Sequence, residues 1–259
     1  MDTVAGDDIV NSIEHGQALV ITGGSSGLNA GAALTVAING VAYAATVQAD
    51  GSWSVGIPAA SVSAWPAGPL TVEVTGQSSA GNPVSASHPF TVDLTAVAIS
   101  INTVASDDVI NAAEKGTGLT LSGSTSGIES GQTVTVIFGG KTYTASVAAN
   151  GRSVNVPAAD LATLPDGAAN VQASVSSASG NSASATHAYS VDASAPTLTI
   201  NTIASDDILN ATEAGSPLTI SGTSTAETGQ TVTVTLNGAT YSGNVQADGS
   251  WSVSVPLQP

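Results

Sequence analysis

Cysteine is absent from these 259 residues, which rules out both a disulfide framework and a thiolate metal site. Basic residues are nearly absent as well. Lys115, Lys141 and Arg152 face nineteen acids, for a formal net charge of −16. Binding to nucleic acid or to an anionic membrane surface draws on clustered Lys and Arg, so neither partner is expected. Residues 15 to 49 hold no Asp, Glu, Lys or Arg. Gly, Ser, Thr and Asn interrupt them, however, and no run of about 18 apolar residues marks a membrane span. Met1 is followed by an aspartate and repeat-like sequence rather than by a secretory leader. The expectation is a soluble piece of something larger.

What the chain does have is repetition. Asp7, Asp107 and Asp206 correspond at intervals of 100 and 99, as do Tyr43, Tyr143 and Tyr241. "VQADGSWSV" occurs at 47–55 and 245–253, and "GQTVTV" at 131–136 and 229–234. A unit of about 99 residues is a domain rather than a solenoid turn. The expected divisions are 1–95, 96–194 and 195–259, the third about 34 residues short because it has no counterpart of 161–194.

Within each unit the apolar residues alternate, the mark of half-buried strands. Leu34, Val36 and Ile38 do so, as do Trp53, Val55 and Ile57, and Leu70, Val72 and Val74. Asn39-Gly40, Asp50-Gly51, Asn150-Gly151, Asn237-Gly238 and Asp248-Gly249 supply hairpin chemistry of type I′. About seven short strands per unit predict an all-β chain of immunoglobulin-like β-sandwich domains. Aligned from the proline that follows, Arg152 takes the place of Trp53 and Trp251, which predicts a slot at the sandwich edge.

The acids gather in one recurring phrase: "GDDIVNSIEHG" (6–16), "SDDVINAAEKG" (106–116) and "SDDILNATEAG" (205–215). Nine of the nineteen acids lie there. Asp93 and Asp192 end the last strand of the first two units, each 14 residues before the next Asp-Asp. Two readings compete. Asn-x-x-Glu resembles a capping box with a glycine closing one helical turn. Alternatively, like charges about 4 Å apart repel by roughly 1 kcal/mol in water and about 4 kcal/mol at an effective dielectric of 20, so converging carboxylates call for a cation. Hard oxygen donors suit Ca²⁺; with no cysteine and with His15, His88 and His187 scattered, zinc is not expected.

Other motifs carry less. "GGSSG" (23–27) fits Gly-x-Ser-x-Gly around Ser25, but no helix pattern follows and the other units place Thr125 and Ser224 there. No nucleophile–base set or cofactor motif is apparent, so no enzyme is expected. The tyrosines and strand tryptophans read as core rather than as sugar platforms.

The phrase "DDVINAAEKG", with "SVDASAPTLTINTIASDD" and "ADGSWSVSVP", resembles the bacterial Ig-like repeats of giant surface adhesins, both the biofilm-associated-protein type and the type I-secreted non-fimbrial adhesins. The resemblance covers essentially the whole chain. It implies an extracellular linear rod of stacked domains on the bacterial cell surface, stiffened by Ca²⁺ near the junctions and supporting adhesion or biofilm formation. The implied partners are neighbouring repeats and, through the parent protein, a host surface or biofilm matrix; a glycan- or host-protein-binding module is the alternative. Asp107, Asp108, Asn111 and Glu114 with Asp93 would form one metal site, and Asp206, Asp207, Asn210 and Glu213 with Asp192 the next. Asp7, Asp8, Asn11 and Glu14 would form a weaker one.

Overall fold

The computed structural model describes residues 1–148 and 152–256. The first repeat contains β1 (Ile9–Asn11), β2 (Leu19–Gly24), β3 (Ala33–Ile38), β4 (Val41–Thr46), β5 (Ser52–Ile57), β6 (Gly68–Gln77) and β7 (Pro83–Asp93). One sheet runs β1-β7-β6-β3-β4 and faces the β2–β5 pair. The second repeat contains β8 (Ala98–Ile101), β9 (Val109–Asn111), β10 (Leu119–Ser126), β11 (Thr133–Phe138), β12 (Lys141–Ser146), β13 (Arg152–Val156), β14 (Gly167–Ser176) and β15 (Ser182–Asp192). Its sheets run β12-β11-β14-β15-β9 and β13-β10-β8. The chain is all-β, and its helix is confined to single turns such as Ala59–Val62 and Ala112–Lys115.

Alternation works as expected. In β3 the buried Leu34, Val36 and Ile38 alternate with less buried neighbours, and they meet Trp53, Val72 and Phe90 in the first core. A second core gathers Leu121, Val136, Phe138, Val171 and Tyr189. Burying such side chains contributes about 1.5–3 kcal/mol each, which is what holds sheets so poor in aromatics together.

Two expectations need correction. Trp53 and Trp251 are 3% and 1% exposed, so their slot lies in the core and not at an edge. Each indole covers a glycine across the ladder: a Cβ on Gly23 or Gly222 would come within 2.7 Å of the ring. Arg152 holds the same register place opposite Gly123, and its side chain lies outside the described residues. The turns also differ. Asn39-Gly40 and Asn237-Gly238 have both residues at positive φ, as type I′ demands, but at Asp50-Gly51 and Asp248-Gly249 only the glycine does. Asp50 and Asp248 instead accept from the backbone N–H and the hydroxyl of Ser52 and Ser250. Asn150-Gly151 lies outside the described residues.

The chain divides into two compact units, Met1–Asp192 and Ala193–Pro259. In the second unit β16 (Leu218–Thr223) pairs with β19 (Ser250–Val255), and β17 (Thr231–Leu236) with β18 (Ala239–Asn244). Ile220, Val232, Trp251 and Val253 form its core. Leu209 is 51% exposed, whereas its equivalents Val10 and Ile110 are fully buried. Those two lie on β1 and β9, which pair in parallel with β7 and β15, whereas Leu209 is in no strand.

Candidate functional site at the repeat joint

The acidic phrase folds into a tight loop followed by a three-residue strand. Val4, Asp7 and Asp8 show the loop's logic. Asp8 sits at φ 65, a region open to Asp when its short side chain bonds locally. Its Oδ1 accepts the Val4 N–H at 2.7 Å and lies 2.7 Å from His88 Nε2 on β7. Asp7 Oδ1 accepts from Ile9 N–H. The second repeat reproduces every contact: Asp108 with Val104 N–H and His187, and Asp107 with Val109 N–H. In the third, Asp207 accepts from Ile203 N–H and Asp206 from Ile208 N–H. The Asp-Asp pair therefore has a structural role, fastening the loop to its own repeat through hydrogen bonds that the sequence reading did not foresee.

The Val4 and Val104 N–H groups, followed by His88 and His187, hold the carboxyls of Asp8 and Asp108 below the ordinary carboxylate value. A depressed folded-state pKa stabilises above the unfolded value near 3.9. That contribution is lost as pH falls through the lower folded value. Acid titration followed on the Val4 and Val104 amides should show a midpoint below the ordinary aspartate value; a midpoint at or above it contradicts this fastening.

The second half of the phrase is a capping box. Asn111 Oδ1 accepts from Ala113 and Glu114 N–H, and Glu114 Oε2 accepts from Asn111 N–H at 3.0 Å. Asn11 with Glu14, and Asn210 with Glu213, make the same bonds. Gly116 closes the turn at φ −83, so it is not the left-handed cap that a C-terminal glycine suggests.

The grouping of the predicted ligands differs from expectation. Strand β1 runs parallel to β7 with Asn11 opposite Asp93, and β9 runs parallel to β15 with Asn111 opposite Asp192. Each terminal aspartate thus lies beside the Asn–Glu turn of its own repeat. Asp93 meets Ser179 and Asn181 just before β15 begins, while Asp108 accepts at its carbonyl from Ser190 N–H near the end of that strand. Ser182 and Ser190 are eight residues of strand apart, roughly 26 Å at about 3.3 Å per residue. Asp93 therefore does not share a site with Asp107 and Asp108. No group of three or more His, Cys, Asp or Glu placed to hold a metal occurs among the described residues.

What does meet Asp93 is a loop that the sequence reading passed over. Ser177–Asn181, between β14 and β15, projects onto the base of the first repeat. Asn181 Oδ1 accepts from Ser12 N–H at 2.8 Å, and Asn181 Nδ2 donates to the Asp93 carbonyl at 3.0 Å. The capping box leaves the Ser12 N–H, at the first position of the turn, without an intrahelical partner; Asn181 supplies it. Asn181 is 1% exposed, and Ser177 and Ser179 are buried with it. Thr95, then Ser179, hydrogen-bond the Asp93 carboxylate and lower its pKa. Gly180, at φ +86, lets the loop close down: a Cβ there would stand 2.9 Å from Asn11 Nδ2. Glu129 braces the loop by accepting from Ala178 N–H. The signal in the sequence was the recurrence of Ser-x-x-Gly-Asn at 78–82 and 177–181.

Ser25 of the Gly-x-Ser-x-Gly stretch donates to the Gly51 carbonyl in the turn between β4 and β5, a structural contact. No helix among the described residues is long and apolar enough to cross a membrane.

No family model matches the chain, and neither does any curated protein. Solved structures do. A Ca²⁺-stabilised adhesin that helps an Antarctic bacterium reach out and bind ice is 37% identical across 98% of this chain, with a TM-score of 0.50. A 1.5-MDa bacterial ice-binding adhesin is 35% identical, again across 98% of this chain and across 85% of the matched structure, at a TM-score of 0.45. A bacterial immunoglobulin-like domain from the M. primoryensis ice-binding adhesin is 41% identical over 38% of this chain and 99% of its own, at a TM-score of 0.30. The chain belongs to the Ig-like repeats of giant bacterial adhesins. It spans 64% of the length of the first of these structures. Within Met1–Asp192 the Asp-Asp pairs secure each repeat, and the Asn11–Glu14 turn and Asp93 of the first form the base that the Ser177–Asn181 loop of the second meets.

Proposed function

We propose that the chain is a non-catalytic stalk segment of a large secreted bacterial adhesin. It spaces a more distal region from the cell surface and so supports adhesion or biofilm formation after type I secretion. The observation carrying this reading is the seating of Asn181 on the base of the first repeat: one domain is fastened to the next by residues that the repeat itself supplies. A repeated unit with a built-in joint serves to extend. A glycan- or host-protein-recognising module has less support, since Trp53, Trp65 and Trp251 are all buried and offer no stacking platform.

Calcium is the cation proposed at the joints. The donors are hard oxygens of the kind Ca²⁺ takes, but they do not stand as a preformed cage. Asp93 and Glu14 at the base of the first repeat, and Asp192 and Glu114 at that of the second, are the carboxylates proposed to hold it. Asp7, Asp8, Asp107, Asp108, Asp206 and Asp207 are left to their loops. Extracellular modules bind Ca²⁺ at about 10⁻⁴ to 10⁻³ M, and ion at tenfold its Kd adds about 1.4 kcal/mol per site, enough to bias a hinge. Small-angle scattering of the chain should give a larger maximum dimension in millimolar Ca²⁺ than in chelator, with the difference lost in Asp93→Asn plus Asp192→Asn. Equal dimensions in both solutions would sink the calcium part of this reading.

A further inference from the structure

The first repeat carries its own copy of the loop that fastens the joint. Ser78–Asn82 lies between β6 and β7 as Ser177–Asn181 lies between β14 and β15. The two loops have the same internal bonds: Ser78 N–H to Asn82 carbonyl, Gly81 N–H to Ser78 carbonyl and Asn82 N–H to Ser78 Oγ, each matched in the second repeat. Gly81 and Gly180 share a left-handed conformation, at φ +83 and +86. The surroundings are what differ. Asn181 is buried against the base of the first repeat, whereas Ser79 to Asn82 are exposed and a Cβ on Gly81 would meet nothing within 4 Å. The loop therefore holds its docking shape with nothing docked, so little ordering cost remains for binding.

We propose that Ser78–Asn82 is a docking surface for the base of another Ig-like repeat of this kind. Asn82 would bridge the first-position N–H of that repeat's capped turn and the carbonyl of its last aspartate, as Asn181 does with Ser12 and Asp93. The occupant is specified by chemistry seen once within this chain. An Asn–Glu capping box leaves one N–H pointing outward, and a parallel strand pair sets a carbonyl beside it; one carboxamide satisfies both. Only the identity of the occupant rests on the stalk reading, and no metal enters the contact.

The test adds one further copy of residues 1–101 ahead of Asp2 of the full chain, which keeps the 100-residue register, with all measurements in chelator. Hydrogen exchange of the Asn82 carboxamide should slow at least tenfold relative to the unextended chain, approaching that of Asn181. Ser12→Pro in the added copy alone removes the N–H at a helical position that tolerates proline. It should return Asn82 to the unextended rate while the added repeat keeps its melting temperature. Unchanged exchange at Asn82 in the extended chain overturns the proposal, and so does protection that survives Ser12→Pro in a folded added repeat. Because no calcium is present, a failed calcium response in scattering and a failed dock are separate results.

Discussion

Asn181→Ala should open the joint between the first two repeats while leaving both folded. The substitution strands the Ser12 N–H and the Asp93 carbonyl beneath a buried loop. An unsatisfied buried group costs about 1–3 kcal/mol, and water can relieve it only if the joint opens. A net penalty of roughly 2 kcal/mol raises the open population on the order of thirtyfold, at about 1.4 kcal/mol per factor of ten. The absence of cysteine makes the measurement direct, because two introduced cysteines, one per repeat, take spin labels at chosen positions only. The distance distribution should be narrow in the parent protein and broad in Asn181→Ala, with Asn82→Ala as the control that changes nothing. An equally narrow distribution in Asn181→Ala would show that the loop merely rests on the base.

Phe138→Ala should unfold the second repeat selectively. Phe138 is 2% exposed and stacks on Tyr189 with centroids 4.8 Å apart. Truncating a buried Phe costs about 3–5 kcal/mol, a large share of what holds one domain of this size. The tryptophans report on where the loss falls, since Trp53, Trp65 and Trp251 belong to the first and third repeats and the second has none. Far-ultraviolet dichroism of the variant should fall at denaturant concentrations where tryptophan fluorescence is still native. Coincident transitions would mean that the repeats unfold as one cooperative body.

The strands were legible because a β-sandwich writes itself locally: alternation in β3, β5 and β6 and Asn-Gly at the hairpins act over a few residues. The acidic phrase was legible as a motif but not in its connections. Spacing along the chain placed Asp93 nearest to the next Asp-Asp, and parallel pairing of β1 with β7 instead laid it beside Asn11, more than 80 residues earlier. His88 and His187 read as structural histidines of the sheet, but their partners were hidden for the same reason, since Asp8 and Asp108 reach them from beside the neighbouring strand, 80 and 79 residues earlier. Asn181 was hidden by its ordinariness. A Ser-x-x-Gly-Asn turn reads as a turn wherever it occurs, and only the base of the neighbouring repeat gives its carboxamide a second function.

The joint itself is the account's central claim, and residual dipolar couplings measured on the whole chain in chelator test it most directly. If Asn181 fixes the two repeats, the couplings of residues 4–92 and 104–191 fit a single alignment tensor, and Asn181→Ala splits it into two. Two tensors of different magnitude in the unaltered protein would contradict a joint held by the Ser177–Asn181 loop.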